Sequence, residues 1–321
     1  MVFTRKLGRS GIEVSGLGLG CWAIGGPFVT PEGTPVGWGE IDDTESIRAI
    51  HRALELGVSF WDTANVYGTG HSERVLGIAL EGRRDQVVIA TKFGRVFRDG
   101  AGQYVGTDLS PAHIRKSCEY SLIRLATDHV DLYQLHIGDA GLEQAVEIRE
   151  TLEDLVKEGK ILWYGWSTDD PERARLFAEG PHCTAVQFQL NLFERNDAMI
   201  ALLDECDLAG VIRGPLAKGL LTGKFGPNSA LPDNDVRRNW DFKHGPQAEQ
   251  IARLEKIRSV LTQDGRSLAQ AALGWLWASS SRVIPIPGFK SIQQVEDNAG
   301  ALNLGPLTSQ QMAEIDALLR V

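Results

Sequence analysis

The stretch Phe60-Trp61-Asp62-Thr63-Ala64-Asn65-Val66-Tyr67-Gly68 puts a carboxylate at the end of an apolar run and a phenol five residues later. Two further polar residues hold matching positions: Lys92 ends the run Val87–Thr91, and His136 ends Val130–Leu135. In a barrel of parallel strands, side chains at such carboxyl ends meet over one opening. Gathered there, these four groups suit the reduction of a carbonyl by a nicotinamide, which needs a hydride donor at carbon and an acid at oxygen. A phenol ordinarily titrates near ~10, and a neighbouring ammonium favours its ionised form. Asp62 would keep Lys92 charged and oriented, and His136 would donate a hydrogen bond to the oxygen where charge develops.

The chain supplies the elements that such a site requires. Apolar β-type runs fall near Leu17–Trp22, Ser59–Thr63, Val87–Phe93, Val130–His136, Ile161–Ser167, Ala185–Leu190, Val211–Leu216 and Val283–Pro287, eight in all. Helical patterns between them include Thr44–Leu56, Glu73–Leu80, Pro111–Leu125, Leu142–Glu158 and Pro171–Phe177. Ser110-Pro111 and Asp170-Pro171 each place a capping residue ahead of a proline at the first helical position. Gly57, Gly82, Gly159, Gly180 and Gly210 read as helix ends. Continuous apolar strands indicate burial on both faces. Eight βα units without a linker-like break predict one closed (β/α)8 TIM barrel domain over residues 1–321, rather than an open doubly wound sheet. Arg5–Val14 reads as an N-terminal β-hairpin turning at Arg9-Ser10-Gly11. Lys218–Pro246 reads as a long polar loop after strand seven, able to fold over a ligand. Gly25–Glu40 is a shorter excursion after strand one.

Composition narrows the partners. The chain has 321 residues, 43% hydrophobic and 23% charged, with a net charge of −9. This balance argues against a nucleic-acid partner or an anionic membrane surface. No apolar run reaches the roughly 20 residues that span a bilayer, and Met1–Lys6 lacks the apolar stretch of a signal peptide. Four scattered cysteines, Cys21, Cys118, Cys183 and Cys206, read as reduced and mostly buried, which suits a cytoplasmic protein. Gly16-Leu17-Gly18-Leu19-Gly20 is no dinucleotide fingerprint, because the glycines lie within a strand and Pro27, Pro31 and Pro35 follow in place of a helix.

The chain resembles the aldo-keto reductase superfamily over nearly its whole length. The match runs from Leu7–Gly11 and Leu17–Gly20 through Phe60–Gly68 and His71-Ser72-Glu73 to Leu216–Phe225, Ile286-Pro287-Gly288 and Glu296-Asp297-Asn298. The resemblance implies a (β/α)8 barrel, NADP(H) bound across the carboxyl face, and a tetrad that falls on Tyr67, Lys92, Asp62 and His136. It assigns Ser167 and Gln187 to the nicotinamide carboxamide. The asparagine usual beside the serine is Thr168 here, and Gln189 stands where a glutamate is common. Where relatives stack an aromatic ring on the nicotinamide, this chain has Arg213, expected instead to reach the pyrophosphate or a substrate anion. Leu216, Lys218, Gly219, Leu220, Thr222 and Lys224 match the stretch over the pyrophosphate, whose glycine amides and ammonium groups suit phosphate oxygens. Gly288, Lys290, Ser291, Gln294 and Asn298 fall where relatives hold the adenosine 2′-phosphate and adenine, an anion at a helix start beside a lysine.

For the substrate, the resemblance makes Trp22 an aromatic wall. Trp61, Tyr133 and Trp163 read as core, while Trp240 and Phe242 in the long loop are candidates to close over a substrate or pack on the rim. The segment after the last helix, Ser309–Leu319, is short, which predicts an open pocket. An acidic surround would favour a neutral sugar or small aldehyde over an acid. The expected partner is therefore a small-molecule carbonyl compound, reduced with NADPH. Two other functions fit parts of the pattern. One is a cofactor-binding regulatory subunit resembling potassium-channel β subunits. The other is a metal-dependent hydrolase, against which the seven histidines show no metal-ligand spacing.

Overall fold

The computed structural model describes residues 3–98 and 102–319. An antiparallel hairpin of β1 (Thr4–Lys6) and β2 (Glu13–Ser15) comes first, with Arg5 opposite Val14. Its turn passes through Gly8 and Gly11 at φ 53° and 69°. A Cβ on Gly8 would lie 2.1 Å from the Thr184 carbonyl, so only glycine fits. Arg9 donates to the carbonyls of Ala178, Gly180 and Cys206. The hairpin turns where those residues predicted, and it covers the amino ends of the strands.

The repeat follows in chain order: β3 (Gly18–Gly20), α1 (Asp43–Glu55), β4 (Phe60–Asp62), α2 (His71–Ala79), β5 (Val88–Phe93), the hairpin β6 (Arg95–Arg98) and β7 (Gln103–Thr107), α3 (Pro111–Leu125), β8 (Val130–Leu135) and α4 (Leu142–Lys157). Then come β9 (Ile161–Ser167), α5 (Pro171–Ala178), β10 (Cys183–Gln189), α6 (Asp197–Glu205), β11 (Ala209–Arg213), α7 (Pro246–Leu261), α8 (Leu268–Ser279), β12 (Val283–Pro285), α9 (Ile292–Leu304) and α10 (Ser309–Leu319). Eight parallel strands pair in the order β3-β4-β5-β8-β9-β10-β11-β12. The ends meet where Gly20 bridges Gly288 and donates its N–H to the Pro287 carbonyl at 3.0 Å. A (β/α)8 barrel results, as expected. The predicted caps are present: Ser110 Oγ accepts from the His113 N–H and Asp170 Oδ1 from the Glu172 N–H.

The helix-end reading fails at one glycine. Gly210 lies inside β11; the left-handed residue after α6 is Asp207, φ 52°, whose short polar side chain tolerates that region. Gly180 does follow the end of α5, directly after its C-cap Glu179, but without the positive φ found at Gly57, Gly82 and Gly159. The β6–β7 hairpin went unread, because its flanking sequence carries neither a continuous apolar run nor strict alternation.

The interior explains where the site falls. Alternate strand residues face inward, and Phe60, Val88, Ala90, Leu132, Ala185 and Val211 form the buried centre, closed below by Leu7 and Val14. Continuing each row by two residues toward the carboxyl end reaches Asp62, Lys92, Gln134, Gln187 and Arg213. These five rows therefore change from apolar to polar at one level, while the β12 row stays apolar through Ile284 and Ile286. A larger apolar layer, including Trp61, Tyr133, Tyr164, Trp166 and Phe177, packs between strands and helices. Trp61 and Tyr133 are fully buried core residues as expected, and Trp163 is partly buried against the barrel interior.

Candidate active site

The polar residues converge. Lys92 Nζ, with no exposed surface, donates to Asp62 Oδ1 at 2.5 Å, to the Thr63 carbonyl at 2.8 Å and to the Tyr67 hydroxyl at 3.3 Å. Its three N–H groups are thereby all engaged. The other Asp62 oxygen accepts from Gln134 Nε2 at 3.0 Å and Gln187 Nε2 at 2.8 Å. The His136 ring stands edge-on to Tyr67 with centroids 5.8 Å apart. Tyr67 is fixed from behind: a Cβ on Gly25 would lie 2.9 Å from the Tyr67 carbonyl carbon.

Titration follows from these contacts. Burial raises the Tyr67 pKa above its ordinary value, and the Lys92 charge offsets only part of that rise. The expected pull toward phenolate is thus outweighed in this structure, and Tyr67 carries its proton at neutral pH. Burial lowers the Lys92 pKa, but Asp62 and Tyr67 more than compensate, so the ammonium is held above its usual range. Burial, with Lys92, Arg95 and Arg213 nearby, pushes His136 well below the ordinary histidine value, leaving a neutral imidazole.

A cleft of about 1540 Å³ extends from these residues along the carboxyl face. Of the residues expected at a cofactor, it is lined by Ser167, Gln187, Arg213, Leu216, Lys218, Gly219, Thr222, Lys224, Gly288, Lys290, Gln294 and Asn298. Leu220 and Ser291 are the exceptions: Leu220 is 3% exposed and belongs to the core, and Ser291, outside the lining, accepts from the Gln294 N–H at 3.3 Å as the cap of α9. Thr168 turns its hydroxyl to the Gly138 carbonyl at 2.8 Å, so it is no substitute for an amide facing the cleft. Arg213 pairs with Asp169 and donates to Gln189 Oε1 at 2.6 Å.

The far end of the cleft has an excess of cations. Burial and the Arg237 charge both lower the Lys224 pKa, and burial lowers that of Lys290. Asp235, bound to Arg237 through both oxygens, is the carboxylate they share. Such a cluster lacks an anion. The phosphates of NADP would supply it, so the residues present fit that cofactor.

The two excursions join along the cleft. Val236 N–H donates to the Gly37 carbonyl at 2.9 Å, Arg237 lies 4.5 Å from the Trp38 ring centroid, and Lys290 Nζ reaches the carbonyls of Trp38 and Glu40 at 3.0 and 2.6 Å. Trp22 stacks on Tyr67 with centroids 5.9 Å apart and lines the cleft. Trp240 and Phe242 instead group with Phe225 on the rim.

The sequence profile of the aldo/keto reductase family matches residues 16–320. The uncharacterized oxidoreductase YqkF of Bacillus subtilis (strain 168) is 31% identical, covering 98% of this chain and 95% of that protein. The structure of the glycerol dehydrogenase AKR11B4 from Gluconobacter oxydans is 31% identical with a TM-score of 0.84, over 98% of this chain and 94% of that one. A Klebsiella pneumoniae aldo/keto reductase, solved with NADP and acetate, is 27% identical with a TM-score of 0.71, over 99% and 96% of the two chains. The chain belongs to the aldo/keto reductase family and is an NADP(H)-dependent oxidoreductase. No helix among the described residues is long and apolar enough to cross a membrane.

Proposed function

We propose that the protein, acting as a single domain, reduces an aldehyde or ketone to the alcohol, with Tyr67 as general acid. The observation that carries this reading is the Lys92 ammonium, held between the Asp62 carboxylate and the Tyr67 hydroxyl. When bound, NADPH supplies the hydride to the carbonyl carbon. Tyr67 gives its proton to the substrate oxygen, and Lys92 stabilises the phenolate left behind. Asp62, gripped by two glutamine amides, keeps the ammonium in place. The buried His136 Nδ1 has no partner, so the proton sits better on Nε2, from which the neutral ring donates to the substrate oxygen. Ser167 and Gln187 hold the nicotinamide carboxamide. Lys218, Lys224, Lys290, Gln294 and Asn298 hold the phosphates and adenine, with the backbone at Gly219 and Gly288 lying alongside. Arg213, tied to Asp169, keeps the role of reaching a pyrophosphate or substrate anion. The reverse oxidation uses the same groups, consistent with the glycerol dehydrogenase among the similar structures.

The test follows NADPH absorbance with a panel of aldehydes, sugars and ketones, then NADP⁺ reduction with the corresponding alcohols. Multiple turnovers lost in Tyr67→Phe are expected. Cofactor bound stoichiometrically without turnover would point to a regulatory role instead.

A further inference from the structure

The arginines lining the cleft fall into two groups. Arg173, Arg213 and Arg237 each hold a carboxylate: Asp170, Asp169 and Asp235. Arg95 holds none among the described residues. Its one side-chain hydrogen bond among them goes to the Tyr104 hydroxyl at 3.0 Å, and its guanidinium lies 5.2 Å from that ring's centroid. Its backbone is fixed as well, because Asn65 Nδ2 donates to the Arg95 carbonyl at 3.1 Å and to Ser117 Oγ at 3.1 Å. Asn65 is two residues from Tyr67, so the segment that positions the phenol also holds Arg95.

The surroundings give this cation its meaning. Arg95 is half-buried and lines the cleft, and its charge is felt at His136. The wall beside it is apolar and aromatic, with Phe28 and Val66 packed among Trp22, Tyr67 and Tyr104. A guanidinium in such a wall, with N–H groups left over, is arranged to bind a planar or tetrahedral oxyanion. Two lining carboxylates have no basic partner among the described residues: Asp139, which is exposed and so screened by water, and Asp297, on α9, which accepts from Ser267 Oγ at 2.7 Å.

We propose that Arg95 binds an anionic group on the substrate, so that the carbonyl compound reduced here carries a carboxylate or a phosphate. This replaces the expectation of a neutral substrate that overall charge had suggested, and it rests on the reductase reading above. Net charge describes the surface as a whole, whereas selection at the site follows the nearest group with unused donors.

The test compares 4-formylbenzoate with benzaldehyde, and glyceraldehyde 3-phosphate with glyceraldehyde, in the wild type, Arg95→Leu and Arg95→Lys. The wild type should prefer the anionic member of at least one pair, and which pair responds separates carboxylate from phosphate. Arg95→Leu should lower kcat/KM for that member by roughly 10- to 100-fold and change the neutral one by less than about threefold. Arg95→Lys should keep part of the preference. Equal losses on charged and neutral aldehydes, or a wild-type preference for 4-(trimethylammonio)benzaldehyde, would overturn the proposal while leaving the reductase reading intact. A second readout needs no turnover: quenching of tryptophan fluorescence by benzoate and by inorganic phosphate in the NADP⁺-loaded protein. Neither anion binding the wild type more tightly than Arg95→Leu would also overturn it. Turnover of no aldehyde at all would instead sink the reductase reading, with anion binding still deciding the role of Arg95.

Discussion

Gln134 Nε2 lies 3.0 Å from Asp62 Oδ2, on the carboxylate oxygen that Lys92 does not use. The amide is fully buried, and its own carbonyl oxygen has no partner. Turning the amide over would set that oxygen against the carboxylate, so the orientation is fixed by Asp62 and the orphaned acceptor is its cost. Gln134→Leu removes both. The freed Asp62 oxygen should draw Lys92 away from Tyr67, lowering kcat about tenfold and moving the basic limb of the pH–rate profile upward. A merely structural glutamine would change stability and leave that limb where it was. Urea melts beside pH profiles distinguish the two.

Removing the acid should be severe. Tyr67→Phe is expected to cut kcat by about 10²–10⁴ while cofactor affinity, read by fluorescence titration, stays close to that of the wild type.

Lys92→Met leaves a carboxylate buried without its cation. Such losses cost about 3–5 kcal/mol, with the two glutamine amides favouring the lower figure. Lys92→Met with Asp62→Leu should recover much of the stability and none of the activity. Denaturant midpoints of the three proteins check this; a single variant as stable as the wild type would contradict it.

His136 links stability to acid. Its pKa is depressed in the folded protein, so the unfolded chain binds the proton more readily. The stabilisation is present above the ordinary histidine value of about 6.5 and is lost as pH falls through the lower folded value. Between pH 7.5 and 5.5 the wild type should lose more stability than His136→Gln. Parallel slopes would mean that other groups account for the acid sensitivity.

The joined excursions should govern cofactor release. Trp38→Ala removes the ring under Arg237, and Arg237→Met removes the link between Asp235 and the Lys218 carbonyl. Both are expected to speed NADP⁺ dissociation several-fold in stopped-flow fluorescence, with a smaller effect on the hydride step measured in single turnovers.

The barrel and the four converging groups were readable because three of the apolar runs stop at an ionisable residue, Asp62, Lys92 or His136, with Tyr67 five residues beyond the first. Gln134 was within reach of the same logic: it interrupts an apolar strand two residues before His136 and so shares its face. Arg95 and Tyr104 were not, since a hairpin register that no local pattern announces brings them together. Leu220 was assigned to the cofactor with its neighbours, yet the left-handed turn at Lys218 and Gly219 sends it into the core. Trp240 and Phe242 show why loop aromatics are hard to assign: Phe225 offered a packing partner that spacing does not show.

One feature of Lys92 bears on how the protein tolerates its own reactants. Free amines condense with aldehydes, and a lysine beside a carbonyl pocket is a ready victim. Here the nitrogen is kept cationic, with every hydrogen committed to an oxygen, so it has no lone pair to attack with. The three contacts that hold Lys92 against Tyr67 thus also keep this amine from forming an imine with the carbonyl compound beside it.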